Sequence, residues 1–121
     1  MAATLIDLFA GCGGLSLGLS NAGFSPQFAV EAHRDAFETY RFNLMEGREP
    51  DDVWPVWLEK RAWQAEHLLA EHANPLLSLQ GKIDLIAGGP PCQGFSMNGL
   101  RRPDDPRSRM VEVYLEYIKS I

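Results

Sequence analysis

Twice in this sequence a short apolar run stops at glycines. Residues 4–10 run into Gly11, Gly13 and Gly14, and Ile83-Asp84-Leu85-Ile86-Ala87 runs into Gly88-Gly89-Pro90-Pro91. Each reads as a buried strand that empties into a loop whose glycines let the backbone take conformations closed to other residues. Leu15, Leu19 and Ala22, closed by Gly23, predict a first helix. Residues 28–32 suit a second strand. Residues 35–44 carry Ala36, Phe37, Tyr40 and Leu44 at helical spacing and predict a second helix. A loop with two prolines fills residues 46–57, and residues 57–63 are expected to hold a third short strand. Residues 65–79 predict a helix that breaks near Asn74-Pro75, and residues 82–87 a fourth strand. Asp105 or Ser108 can cap a last helix running to Ile121 on the stripe Met110, Val113, Tyr114, Tyr117, Ile118 and Ile121. Strand and helix in alternation mean parallel strands with helices on both faces. The expected fold is therefore α/β, part of a Rossmann-like sheet of about four parallel strands joined by right-handed crossovers.

At 121 residues the chain is one domain or part of one. No apolar run approaches membrane-spanning length, and the N-terminus has no basic and apolar signal regions. Two cysteines without a close-spaced partner make neither a disulfide framework nor a zinc motif. His33, His67 and His72 form no metal-ligand pattern and read as helix-surface residues, so no metal is expected. A reduced, cytoplasmic setting, nucleoid-associated if the substrate is DNA, suits a catalytic thiol and is the expected location. A net charge of −5 is awkward for duplex DNA binding, which rests on Lys and Arg at phosphates. Arg101, Arg102, Arg107 and Arg109 cluster after the second glycine loop, against Asp104 and Asp105. A phosphate contact and a solvated charged loop are both open there.

The first glycine loop has the spacing Gly11-x-Gly13-Gly14, which is not the Gly-x-Gly-x-x-Gly of dinucleotide binding. Glu31 stands at the end of the expected second strand, where a carboxylate can grip ribose hydroxyls. Asp7, the loop and Glu31 together favour a nucleoside cofactor over a mere tight turn. The second loop holds one cysteine, Cys92, behind a rigid Pro90-Pro91 at a strand's C-terminal end. Ligands bind at that end of open α/β sheets, and a thiol held there is a candidate nucleophile.

Asp7-Leu8-Phe9-Ala10-Gly11-Cys12-Gly13-Gly14-Leu15-Ser16-Leu17-Gly18 resembles the S-adenosylmethionine (AdoMet) loop of the cytosine-5 DNA methyltransferases. Gly88-Gly89-Pro90-Pro91-Cys92-Gln93-Gly94-Phe95-Ser96 resembles that family's catalytic cysteine loop, and the two stand in the family's order. The resemblance implies that Phe9 packs on the cofactor, that Ala10, Gly11, Cys12, Gly13, Gly14 and Leu15 cradle it, and that Glu31, beside Ala32, takes the ribose. Cys12 is expected to be structural filler within that cradle, since free cysteine is commonly a buried hydrophobe. The resemblance also implies that Gly89 and Pro91 shape the pocket, that Met110 is an apolar contact to AdoMet and that Gln93 and Ser96 lie near the DNA; Arg101 and Arg102 are the candidate phosphate contacts of the charged loop. Gln64 aligns where the family has an aspartate that accepts from the adenine amine. A glutamine oxygen accepts that bond without charge. Cys92 is the implied nucleophile, adding to carbon 6 of a cytosine flipped from the duplex.

The same resemblance implies a Glu-Asn-Val glutamate, a later arginine motif and a target-recognition domain, none of which stands in these residues. Residues 1–121 are thus expected to be the AdoMet-binding, nucleophile-bearing part of a catalytic domain. The expected partners are DNA and the remaining part of the enzyme, in a restriction-modification setting. RNA cytosine methylation, a non-catalytic AdoMet-binding remnant and an interaction domain are the other readings; the last leaves both loops unexplained.

Overall fold

The computed structural model describes residues 2–46, 54–90 and 109–121. A parallel sheet of three strands in the order β2-β1-β3 lies at its centre, with β1 at Thr4–Leu8, β2 at Ser25–Val30 and β3 at Leu85–Gly88. Helix α1 (Gly14–Asn21) crosses from β1 to β2, and α2 (Arg34–Leu44) follows β2. Helices α3 (Ala65–Glu71) and α4 (Ala73–Leu77) precede β3, and α5 (Arg109–Ser120) packs against both. The α/β, Rossmann-like arrangement expected from the strand–helix alternation is what the chain adopts. No helix among the described residues is long and apolar enough to cross a membrane.

The central strand is buried because it has neighbours on both sides: Leu5, Ile6 and Leu8 are fully inaccessible. Opposite Ile6 lie Phe28 on one side and Ile86 on the other. The register shifts between Leu5 and Ile6, so Leu5 faces Pro26 and Ile6 faces Phe28, leaving Gln27 as the extra residue. Pro26 is tolerated near the strand's start, where a missing N–H costs the ladder least. Before β3 begins, Asp84 latches onto β1. Its carboxylate accepts from the Thr4 N–H at 2.7 Å, while its own N–H donates to the Thr4 hydroxyl at 3.0 Å.

One expected strand does not form. Residues 57–63 make turns, because Trp54, Leu58 and Trp63 are the buried positions and their spacing does not alternate. The carbonyls a ladder would need are also taken: the indole N–H of Trp54 donates to Leu58 O and that of Trp63 to Glu59 O, each at 3.1 Å. A single sheet-like bond survives, Trp63 N–H to Glu31 O at 2.9 Å.

The helix break also falls earlier than expected, at His72, whose φ of −123° and ψ of 34° leave the helical region. Pro75 would press its ring on the carbonyl four residues before it in a continuous helix. Restarting at Ala73 puts Pro75 in the first turn of α4, where its missing N–H is not required. His72 is consequently no helix-surface residue. It packs between Trp57 and Trp63, with ring centroids 5.4 and 5.2 Å away.

Helix α5 buries Val113 and Tyr117, whereas Ile118 of the expected stripe is about half exposed. Two tyrosines tie the helix down. Tyr117 donates to Ala65 O and Tyr114 to Ile86 O, both at 2.8 Å. Its caps as read from the sequence, Asp105 and Ser108, lie outside the described residues.

Candidate cofactor and catalytic site

All three strands point their C-terminal ends to one edge of the sheet, and the glycine loop stands there. Strand β1 ends because Phe9 takes φ 55°, and Gly11 and Gly13 follow at 59° and 99°. Positive φ is cheap for glycine and unfavourable for phenylalanine, so something must hold Phe9 there. The backbone supplies part of the answer: Ala10 N–H bonds to Val30 O at 3.0 Å, and Gly13 N–H to Ala10 O at 3.1 Å.

Glu31 supplies more. Its two carboxylate oxygens accept separately, Oε1 from Gly11 N–H at 2.9 Å and Oε2 from His33 N–H at 2.8 Å. Glu31 follows directly on β2, as the sequence suggested, although that strand starts earlier and stops at Val30. Ala32 is beyond the strand and exposed. The single bond from Trp63 brings Gln64 to the same edge. Its side chain is exposed and makes no capping bond to α3. Beside it, the Arg61 guanidinium stacks 3.4 Å from the centroid of the Trp63 ring.

Beneath the loop lies a buried polar chain. Ser16 donates to Asp7 Oδ2 at 2.6 Å, and the Tyr40 hydroxyl donates to Ser16 Oγ at 3.0 Å. Asp7 Oδ1 is buried with no hydrogen-bond partner among the described residues. Burial pushes the Asp7 carboxyl above the ordinary carboxylate range; Ser16 opposes this, and the negative charge of Glu31 adds to it. Tyr40 is pushed up to about 12, again chiefly by burial. Sequence reasoning treated Tyr40 as one of a helix's apolar positions and did not weigh Ser16. The signal available was Asp7 itself, since a carboxylate in an apolar strand needs a donor.

Of the expected cradle, Ala10 and Gly13 are buried, Phe9 and Gly11 are partly buried, and Gly14 and Leu15 are exposed. Cys12 departs from expectation. It is exposed rather than buried filler, whereas Ala10 and Gly13 of the same turn are buried. Gly89 follows β3 at the same edge and is exposed. Met110 packs on the core from the first turn of α5. Arg109 makes an exposed ion pair with Glu66 on α3; the other arginines of the expected cluster lie outside the described residues. Pro91, Cys92, Gln93, Ser96, Arg101 and Arg102 lie outside the described residues.

The family profile described as C-5 cytosine-specific DNA methylase matches residues 3–121. The chain belongs to that family. It is 38% identical over 122 residues to the type II methyltransferase M1.HphI of Haemophilus parahaemolyticus, covering 98% of this chain and 30% of that protein. To the type II methyltransferase M.HgiGI of Herpetosiphon aurantiacus it is 35% identical, covering 96% of this chain and 78% of the relative. Among solved structures it resembles a chain described as a DNA modification methyltransferase encoded within a prophage (E. coli). That similarity has a TM-score of 0.69 and 33% identity, covering 98% of this chain and 29% of the other. The chain thus spans about 30% of the length of some relatives and most of another.

Proposed function

We propose that this chain is the cofactor-binding and nucleophile-bearing part of a DNA (cytosine-5-)-methyltransferase of restriction-modification type. Its cofactor is AdoMet, and its partners are DNA and the remaining part of the enzyme. The observation that carries the reading is Glu31, whose carboxylate joins Gly11 of the loop to His33 at the mouth of β2. A ribose offers two hydroxyls to such a carboxylate. The residues present also fit a cationic nucleoside in other ways. Asp7 Oδ1 is a buried acceptor without a donor among the described residues, and backbone at positive φ leaves the loop open to close approach.

In this reading, residues 9–15 cradle the cofactor with Phe9 against it, Glu31 and Ala32 take the ribose side, and Gln64 the adenine. Gly89, Pro91 and Met110 complete the pocket. When bound, AdoMet supplies an activated methyl group. Cys92 then makes the target reactive: its thiolate adds to carbon 6 of a flipped-out cytosine, and the ring's electron pair shifts toward carbon 5. After alkylation, loss of the carbon 5 proton expels the thiolate and restores both ring and enzyme. Gln93, Ser96, Arg101 and Arg102 serve the DNA side. The chemistry asks for a reduced compartment, which makes the cytoplasm the expected location.

The test is methyl transfer from labelled AdoMet to unmethylated DNA and to transfer RNA, with the chain alone and with a polypeptide supplying the remaining family motifs. Activity on DNA that is lost in Cys92→Ser supports the reading. Transfer to RNA alone replaces the substrate, and AdoMet binding without transfer in any mixture replaces the enzyme with a binding module.

A further inference from the structure

The buried chain Tyr40–Ser16–Asp7 is not accounted for by contact with a ligand, and two of its members were invisible as site residues. We propose that Tyr40 is a positioning residue for the cofactor loop: acting through Ser16, its hydroxyl holds Asp7, and with it the strand-to-helix turn, in the ligand-ready form. The inference rests on the cofactor reading above and adds a residue to it.

The direction of the chain follows from proton count. A serine hydroxyl has one proton, and an ionised carboxylate only accepts. Ser16 therefore donates its hydrogen bond to Asp7 at 2.6 Å and accepts one from the Tyr40 hydroxyl at 3.0 Å. Each bond polarises the next, so the tyrosine strengthens the serine–carboxylate contact.

The placement of the three residues turns this into a clamp. Asp7 lies on β1 just before the loop and Ser16 in α1 just after it, so their bond closes the segment that carries Phe9 at φ 55°. Tyr40 adds a third element, α2. Its ring, together with Leu44 of the same helix, packs against Gly13, where a Cβ would meet Leu44 Cδ1 first and Tyr40 Cδ2 at 2.8 Å. Glu31 clamps the loop's outer side, the tyrosine chain its inner side.

Among the described residues, the charged, titratable and hydrogen-bonding groups around Asp7 are Ser16 with Tyr40 behind it from α1 and α2, Glu31 from the end of β2, and Tyr114 from α5. Of these, Ser16 favours the Asp7 anion and Glu31 disfavours it. Removing the Tyr40 hydroxyl weakens the favourable side, and an uncharged Asp7 attracts a cationic nucleoside less.

The experiment is calorimetric titration of AdoMet into the chain, from mildly acidic to neutral pH. It compares wild type, Tyr40→Phe, Ser16→Ala and the double variant, with thermal midpoints measured in parallel. Tyr40→Phe keeps the ring under Gly13, so the fold is expected to stand. Its AdoMet affinity should fall about five- to tenfold, the loss of one hydrogen bond to a charged network. The acid limb of its binding curve should move to higher pH. The double variant should bind no worse than Ser16→Ala, because the tyrosine acts through the serine. Should Ser16→Ala not fold, the acid-limb shift in Tyr40→Phe decides alone. Wild-type binding with Tyr40→Phe indistinguishable from it, or equally weakened at every pH, overturns the inference and leaves the cofactor reading standing. No binding by the wild type overturns both.

Discussion

Glu31 and Asp7 are two carboxylates at one loop with opposite situations. Glu31 has both oxygens occupied by backbone donors, while Asp7 has one oxygen satisfied and one buried without a partner among the described residues. Replacing Glu31 with Gln turns one acceptor into a donor facing a backbone N–H. AdoMet affinity should fall at least about tenfold, as expected for losing a hydrogen bond to a charged group, and titration calorimetry reads this directly. Asp7 makes a prediction about pH. Its carboxyl is raised in the folded protein, so the fold binds its proton more tightly than the unfolded chain does. The associated stability is present at low pH and is lost as pH rises through the raised value. Asp7→Asn should therefore melt above wild type at neutral pH, and the advantage should shrink on acidification. Thermal denaturation across pH checks this. Gly88 answers to space instead: a Cβ there would strike the Leu8 carbonyl oxygen across the sheet. Gly88→Ala should cost about 1–3 kcal/mol in denaturant unfolding, the usual price of overpacking.

At the level of elements, α5 is held by hydroxyl-to-carbonyl bonds as well as by apolar contact. Tyr117 is fully buried and donates to Ala65 O in α3. Tyr117→Phe keeps the ring and removes the donor, so it should lower stability by about 1 kcal/mol in chemical denaturation. The same scale explains where sequence reading missed. The apolar content of residues 57–63 suggested a strand, but Trp54 and Trp63 spend it on the core while their indole N–H groups occupy loop carbonyls. Pro75 announced a break and left its position open, since a proline is tolerated in a helix's first turn and the chain could stop at any residue just before.

For the whole molecule, the sheet order β2-β1-β3 leaves β3 with one strand neighbour among the described residues, and all four of its residues are only partly buried. Leu115 and Ile118 on α5 are each 48% exposed. A strand edge with no second neighbour among the described residues, and apolar side chains exposed on α5, are each features that favour association. The isolated chain is expected to self-associate with rising concentration, and the double variant Leu115→Lys, Ile118→Lys to do so less with an unchanged melting temperature. Light scattering across a dilution series reads the difference.

Local chemistry was enough to determine three of the strands, the helices around them, the first glycine loop and the place of Glu31. Glycines after apolar runs and a carboxylate at a strand's end are written in neighbouring residues. The helix faces were legible for the same reason, through their spacing. The partners across the fold were not. That Tyr40 reaches Ser16, that Trp63 pairs with Glu31, and that Cys12 is exposed depend on which distant elements pack together. A hydroxyl's partner or a side chain's exposure is fixed by the sheet order and the crossing of helices, which no local pattern specifies.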